Sequence, residues 1–393
     1  MSFADLALVA AVGIAGPILA LPKRWRLPVV LGELLAGILL GPTGSSTLHA
    51  SDPSFTLLAD IGFALVMFVA GSHVPVRDPV ITGSIRSGSM RAVGVAVVAI
   101  PLSLAISHGF GTGHTALYAV LMSSSSAALI LPIIDSLGIT DRAVVSALPQ
   151  IAVADAACII ALPLAIDPPR AGRAALGAVA VLACAGALFV VLRYVERRGW
   201  RQRMHDVSEN RSFALELRIS LAILFGLAAV ATRTHVSIML AGFSFGVAVA
   251  AVGEPRRLAR QLFALTEGFL GPLFFVWLGA TLNLRDLASH PKYIALGVAL
   301  GAGAVVTHVA MRVSRQPVPV GALCAAQVGV PVAAATLGTQ LNLLAPGQPA
   351  ALILGALLTI AVSIASGGVL APRDARSAPA PPSRPAQQSS PRT

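Results

Sequence analysis

The stretch PQIAVADAACIIALPLAI (149–166) holds one carboxylate, Asp155, in a run that is otherwise apolar and long enough to cross a bilayer. The rest of the chain decides how to read it. Of 393 residues, 56% are hydrophobic and 11% are charged, and the mean hydropathy is +0.81. A water-soluble domain of this size would not tolerate that composition. Apolar runs of roughly 17–25 residues, the length of a spanning helix, recur along nearly the whole sequence, which makes it an all-α polytopic membrane protein.

The expected spans are 5–22, 28–46, 56–72, 92–108, 114–137 and 144–166, then a connecting helix at 174–192. A second half follows at 213–232, 235–252, 261–282, 293–311, 317–340 and 349–371, for about thirteen helices in all. These define a transmembrane domain over 1–371, with one half at 5–166 and the other at 213–371. The remaining 372–393, PRDARSAPAPPSRPAQQSSPRT, is rich in Pro, Ser and Arg and has no apolar periodicity. It reads as a disordered cytoplasmic tail. The first span has no basic segment before it and no small-residue cleavage site after it, so it reads as a retained helix and not a signal peptide. Cys158, Cys184 and Cys324 fall inside spans without paired spacing and carry no metal or disulfide signal.

The formal net charge of +11 is first a topology signal, not a sign of nucleic-acid binding. With an odd number of crossings, alternate loops lie on opposite sides. One set of loops, with the tail, carries 23 of the basic residues and the other set carries 5. The richer side is the cytoplasmic one. This orients the N-terminus outside and the C-terminus inside, in what reads as a bacterial inner membrane.

The two halves repeat one another. LLAGILLG (34–41) and MLAGFSFG (239–246) share Leu-Ala-Gly and a Gly four residues on, at an offset of 205. Gly-Phe at 62 recurs at 268. The fifth and twelfth spans are each interrupted, by SSSSAALILP (123–132) and QVGVP (327–331). Corresponding helices are seven apart, an odd number, so the copies run through the membrane in opposite directions. Inverted repeats with broken helices are a mark of secondary transporters.

A break at membrane depth frees backbone N–H and C=O groups that hydrocarbon cannot satisfy unless they line a cavity or bind something. Serine lowers helix propensity in the first break, while Gly329, Val330 and Pro331 mark the second through flexibility and a missing N–H. Two facing breaks would bring two positive and two negative helix ends around one point, and a nearby carboxylate could balance the positive ends.

Asp155 lies about eleven residues from either end of its span, roughly 17 Å at helical rise. It is either a structural acid paired with a base or hydroxyl, or a functional one, and an intramembrane acid is by default a functional candidate. It can take up and release a proton. When ionised, its oxygens can ligate Na⁺ or K⁺ with serine hydroxyls and freed carbonyls, and a site that holds one or the other gives exchange. Glu33, Asp60, Asp135 and Glu267 lie nearer to helix ends, where solvated or capping carboxylates are ordinary. Thr307 and His308 sit one turn from Arg312: either a helix-end pair, or groups with a site-balancing or pH-sensing role.

These residues resemble the monovalent cation:proton antiporters, in the branch holding bacterial Na⁺/H⁺ antiporters and glutathione-gated K⁺ efflux systems. LPVVLGELLAGILLGPTG (27–44) is similar to the second-helix motif of that family. SSSSAALILPIIDSLGITDRAVVSALPQIAVADAACIIALPLA (123–165) resembles its broken helix and following acidic helix, and GFLGPLFFVWLGATLNL (268–284) its tenth. The resemblance covers about residues 5–371. It implies the sodium/proton antiporter fold, a six-helix core moving in an elevator-like manner against a dimerisation domain, and a homodimer in the lipid bilayer. It implies the essential ion- and proton-binding carboxylate at Asp155, beside an unwound segment at Ser124, Ser125 and Ser126.

Two departures stand out. The position before the acid is usually Asp, Asn or Gln and here is Ala154, and no mid-helix Lys occurs in 293–311, where Gly303, Thr307 or His308 falls near that slot. One carboxylate favours a one-for-one exchange. The leading expectation is a monovalent cation (Na⁺ or K⁺)/H⁺ antiporter with no cofactor beyond its transported ions. The alternatives are a K⁺ efflux route of the glutathione-gated type with a separate regulatory subunit, and a divergent non-transporting sensor. An intramembrane protease would need two paired carboxylates, and no second mid-membrane acid is evident, so the chain is not expected to be an enzyme.

Overall fold

The computed structural model describes residues 1–21, 29–72, 79–139, 141–198, 215–234, 236–253, 256–282 and 284–371. The expected disordered tail at 372–393 lies outside the described residues, as do Lys23, Arg24, Arg26, Arg77, Arg201, Arg203 and Arg211. All regular structure among the described residues is helical.

The first span is two helices, α1 (Phe3–Gly13) and α2 (Ala15–Ala20), with Ser2 and Asp5 forming a capping box at the start. Then come α3 (Val29–Leu40), α4 (Pro53–Ser72) and α5 (Pro79–Phe110). Helix α5 begins thirteen residues before the expected 92, because the polar stretch ahead of the apolar run also winds as helix. Arg91 reaches from it to the Ser314 hydroxyl at 3.2 Å and the Ser146 carbonyl at 3.4 Å.

The fifth span is broken as expected, into α6 (Thr115–Ser123) and α7 (Ala127–Ser136). A short α8 (Arg142–Val145) leads to α9 (Leu148–Ile166), which carries Asp155, and α10 (Ala171–Arg197) follows. The second half opens with α11 (Leu215–Arg233) and α12 (Ile238–Val252). Its tenth span starts as α13 (Arg256–Leu265), widens into a π turn at Thr266–Leu270 and continues as α14 (Gly271–Thr281). Pro272 has no N–H to donate, and the wide turn absorbs that loss. After α15 (Leu284–Ser289) comes α16 (Pro291–Val309). The twelfth span breaks into α17 (Val318–Cys324) and α18 (Gly329–Gln340), and α19 (Gln348–Leu370) closes the chain. The unwound residues there are 325–328. Gly329, Val330 and Pro331, expected to be the break, instead open α18; a first-turn proline lacks only an N–H that has no helical partner anyway.

The two copies of Leu-Ala-Gly-x3-Gly do the same mechanical work. A Cβ on Gly37 would lie 2.1 Å from the Val276 carbonyl oxygen, so α3 presses its backbone against α14. A Cβ on Gly246 would lie 2.1 Å from the Phe68 carbonyl oxygen, which joins α12 to α4 in the same way. Without a hydrophobic drive between helices in lipid, such close approach lets dispersion and aromatic contacts hold them; Phe63 and Phe274 stack at 4.7 Å and Phe68 meets Phe245 at 4.9 Å. Large apolar side chains such as Leu39, Leu57, Val93 and Leu176 face outward, as hydrocarbon surroundings require. Gly246→Ala should therefore lower stability in detergent by about 1–3 kcal/mol through overpacking, whereas Gly226→Ala, where a Cβ meets nothing within 4 Å, should not, as read from thermal unfolding midpoints.

Candidate functional site

Helix α6 ends at Ser123, and Ser124 turns extended at φ −75° and ψ 149°. The serine run supplies the hydroxyls that this end needs. Ser123 Oγ donates to the Ala119 carbonyl and Ser124 Oγ to the Leu121 carbonyl at 2.9 Å, so both hydroxyls bond back onto the last turns of α6. Residues 124–126 are unwound and buried.

Helix α7 then starts inside the protein with free N–H groups. Ala127 N–H donates to Asp155 Oδ2 at 3.0 Å. Asp155, 6% exposed, thus acts as an N-cap supplied by another helix, placing its carboxylate on the positive end of a half-helix. The other carboxylate oxygen has no hydrogen bond among the described residues, and no ion pair to Asp155 is recorded among them. Ser124 and Ser125 do not spend their hydroxyls on the carboxylate.

Ser125 links the two breaks: its Oγ donates to the Cys324 carbonyl at 2.7 Å, at the end of α17, and lies 3.2 Å from His308 Nε2. His308 is fully buried at the crossing rather than at a solvated helix end. Its Nδ1 lies 2.8 Å from the Ala304 carbonyl, which can only accept, so Nδ1 carries a proton. A neutral ring then accepts at Nε2, and the single Ser125 proton is contested between Nε2 and the Cys324 oxygen. Next to it, Thr307 Oγ1 lies 2.9 Å from the Met122 carbonyl in the last turn of α6 and 2.8 Å from Ala304. Thr307 and His308 therefore face the two negative half-helix ends, and Asp155 faces a positive one.

The fourth end, at α18, has no side-chain cap. Just before it lies a residue that sequence reasoning missed. The Gln327 side chain is 4% exposed, and its amide nitrogen has no partner among the described residues, while its backbone N–H donates to Thr359 Oγ1 at 3.2 Å. Its signal was its place in QVGVP. A second missed pair is Gln150 and Gln316, which bond at 3.0 Å in the interior. Glu33, expected to be solvated or capping, is instead buried at 3% exposure in α3.

Residues 7–372 match the family model described as sodium/hydrogen exchanger, transmembrane. The chain belongs to that family. Among its relatives, it is 24% identical over 379 residues to the putative Na(+)/H(+) antiporter YjbQ of Bacillus subtilis (strain 168), a match covering 91% of this chain and 61% of that protein. It is 26% identical over 274 residues to the probable Na(+)/H(+) antiporter 3 of Methanocaldococcus jannaschii, covering 67% of this exchanger-family chain and 68% of that protein. It is also 28% identical over 295 residues to the glutathione-regulated potassium-efflux system protein KefC of Salmonella typhimurium, covering 72% of this chain and 46% of KefC. The chain thus spans less than two thirds of the length of YjbQ and KefC. In fold it is similar to the sodium proton antiporter MjNhaP1 from Methanocaldococcus jannaschii, with a TM-score of 0.67 at 15% identity over 94% of this chain and 96% of that one.

Because Asn retains an oxygen that can cap α7, Asp155→Asn should hold most of the wild-type thermal stability. Asp155→Ala strands the Ala127 N–H and should cost about 1–3 kcal/mol. Unfolding midpoints of the two purified variants check the order.

Proposed function

We propose that this chain exchanges a monovalent cation, Na⁺ or K⁺, for protons across the membrane, with Asp155 binding one or the other in competition. The observation that carries this reading is a buried carboxylate placed on the N-terminus of a half-helix, where two broken helices cross, with one oxygen held by Ala127 N–H and the other open. That oxygen can take a proton, or it can ligate a cation together with carbonyl and amide oxygens of the breaks. Ser124, Ser125, Ser126 and Gln327 lie in the two unwound segments and stand ready to contribute. With Ala154 beside it in place of a second acid, one carboxylate exchanges one charge for one charge, an electroneutral cycle.

The two motif copies, each pressing its glycines on a helix of the other half, support an inverted repeat. We read 5–166 and 213–371 as its halves, with 174–192 as the connector. The elevator-like motion and the homodimer belong to the same reading, as does the inward orientation of the arginine-rich loops. A cavity of about 1040 Å³ lies between the 42–56 segment with the end of α14 and the α18–α19 turn, on the side away from the arginine-rich loops. We read it as an outer vestibule, because it opens on the side that the arginine-poor loops occupy.

The potassium reading draws on the likeness to KefC and is separated from the sodium one by the same assay. Purified protein in liposomes with an internal pH dye should show proton movement on a Na⁺ or K⁺ pulse, and Asp155→Asn should abolish it. Silence toward Na⁺, K⁺ and Li⁺ across pH 6–9, in liposomes where a control antiporter responds, would overturn exchange and leave a sensor. Proton movement that persists in Asp155→Asn would move the ion site elsewhere.

A further inference from the structure

Helices α9, α10 and α12 enclose a groove of about 560 Å³. One wall is a stripe of α9 at Ala152, Ala156 and Ile160, and the others include Leu182 and Phe189 of α10 and Val247 of α12. The lining is apolar apart from Ser244, whose hydroxyl already donates to the Ala241 carbonyl at 3.2 Å. The groove does not offer water the two to four polar partners it needs, so an apolar occupant suits it.

The groove ends in charge. A second cavity of about 390 Å³ is lined by Arg193, Glu196, Arg197, Ala251 and Val252, and Ala251 lines both spaces. Two guanidinia against one carboxylate leave this end net positive. From Leu182 to Arg193, α10 rises about 16 Å, close to the roughly 15 Å of hydrocarbon in one leaflet. The Arg193 guanidinium stands 5.8 Å from the centre of the Phe189 ring, so a cation–π contact holds the charge where the apolar wall stops. These arginines also lie on the basic side of the chain, where anionic headgroups are enriched and basic pockets between helices bind them.

We propose that an anionic phospholipid binds here, with an acyl chain in the groove between α9, α10 and α12 and its headgroup at Arg193 and Arg197. The lipid then seats against the helix that carries Asp155, one residue off the Ala152–Ala156–Ile160 stripe. The site rests on shape and charge and stands whether or not the chain exchanges cations.

Gly186 supplies a clean test, because it lines the groove and a Cβ built on it meets nothing within 4 Å. Gly186→Trp should project its ring into the space and fill it. The full-length protein would be reconstituted in vesicles with a photoactivatable acyl chain on either phosphatidylglycerol or phosphatidylcholine, cross-linked, and its peptides identified by mass spectrometry. Wild type should be labelled on α9, α10 and α12, several-fold more by phosphatidylglycerol. Arg193→Ala with Arg197→Ala should erase that preference while leaving chain labelling in place. Gly186→Trp should lower labelling by both lipids at an unchanged elution volume. Equal labelling by the two lipids in wild type, labelling that Gly186→Trp leaves untouched, or a preference that survives loss of both arginines would each overturn the site.

Discussion

A backbone group in hydrocarbon has no water to turn to, and this chain interrupts two of its helices inside the membrane. The crossing of α6–α7 with α17–α18 is therefore the place the rest of the fold must serve. Three of the four half-helix ends are met by side chains from other segments: the Asp155 carboxylate at the start of α7, Thr307 at the end of α6, and Ser125, shared with His308, at the end of α17. The partners lie 28, 185 and 199 residues apart along the chain. The crossing can form only when the sixth, eleventh and twelfth spans have assembled, so the same bonds that satisfy the breaks also fix the site.

The balance of signs follows from the same arrangement. Negative helix ends receive hydroxyls and an imidazole, which can donate, and the positive end receives a carboxylate, which accepts. With no basic side chain paired to it among the described residues, Asp155 is held by a dipole, a partner that does not compete in space for its other oxygen. A lysine salt bridge would neutralise the acid, whereas a capped half-helix leaves room for a proton or cation. Gln327, buried beside the remaining positive end, has an amide nitrogen that no group among the described residues pairs.

Glycine contacts set the frame around this centre. Gly37 and Gly246 bring backbone to backbone at α3–α14 and α4–α12, where a methyl group would not fit. Those seams are closely packed, backbone on backbone. The groove between α9, α10 and α12 is different in kind, since Gly186 there faces open space, and the helix bearing Asp155 meets its neighbours across a gap that lipid can enter.

Much of this was written in the sequence. The apolar runs and the serine-rich interruption gave the helical spans and the first break, because each is a local signal of hydrophobic length or helix propensity. Asp155 stood out for the same reason: a lone acid in a long apolar run is conspicuous in one dimension. Tertiary structure alone decided what it touches. Sequence cannot show that the α7 N–H meets a carboxylate from α9, that His308 is buried against Ser125 and not solvated at a helix end, or that Gly329 to Pro331 open a helix and do not interrupt one. Those outcomes depend on which distant carbonyls and N–H groups come within 3 Å, and that is set by how the helices cross, not by the order of residues along any one of them.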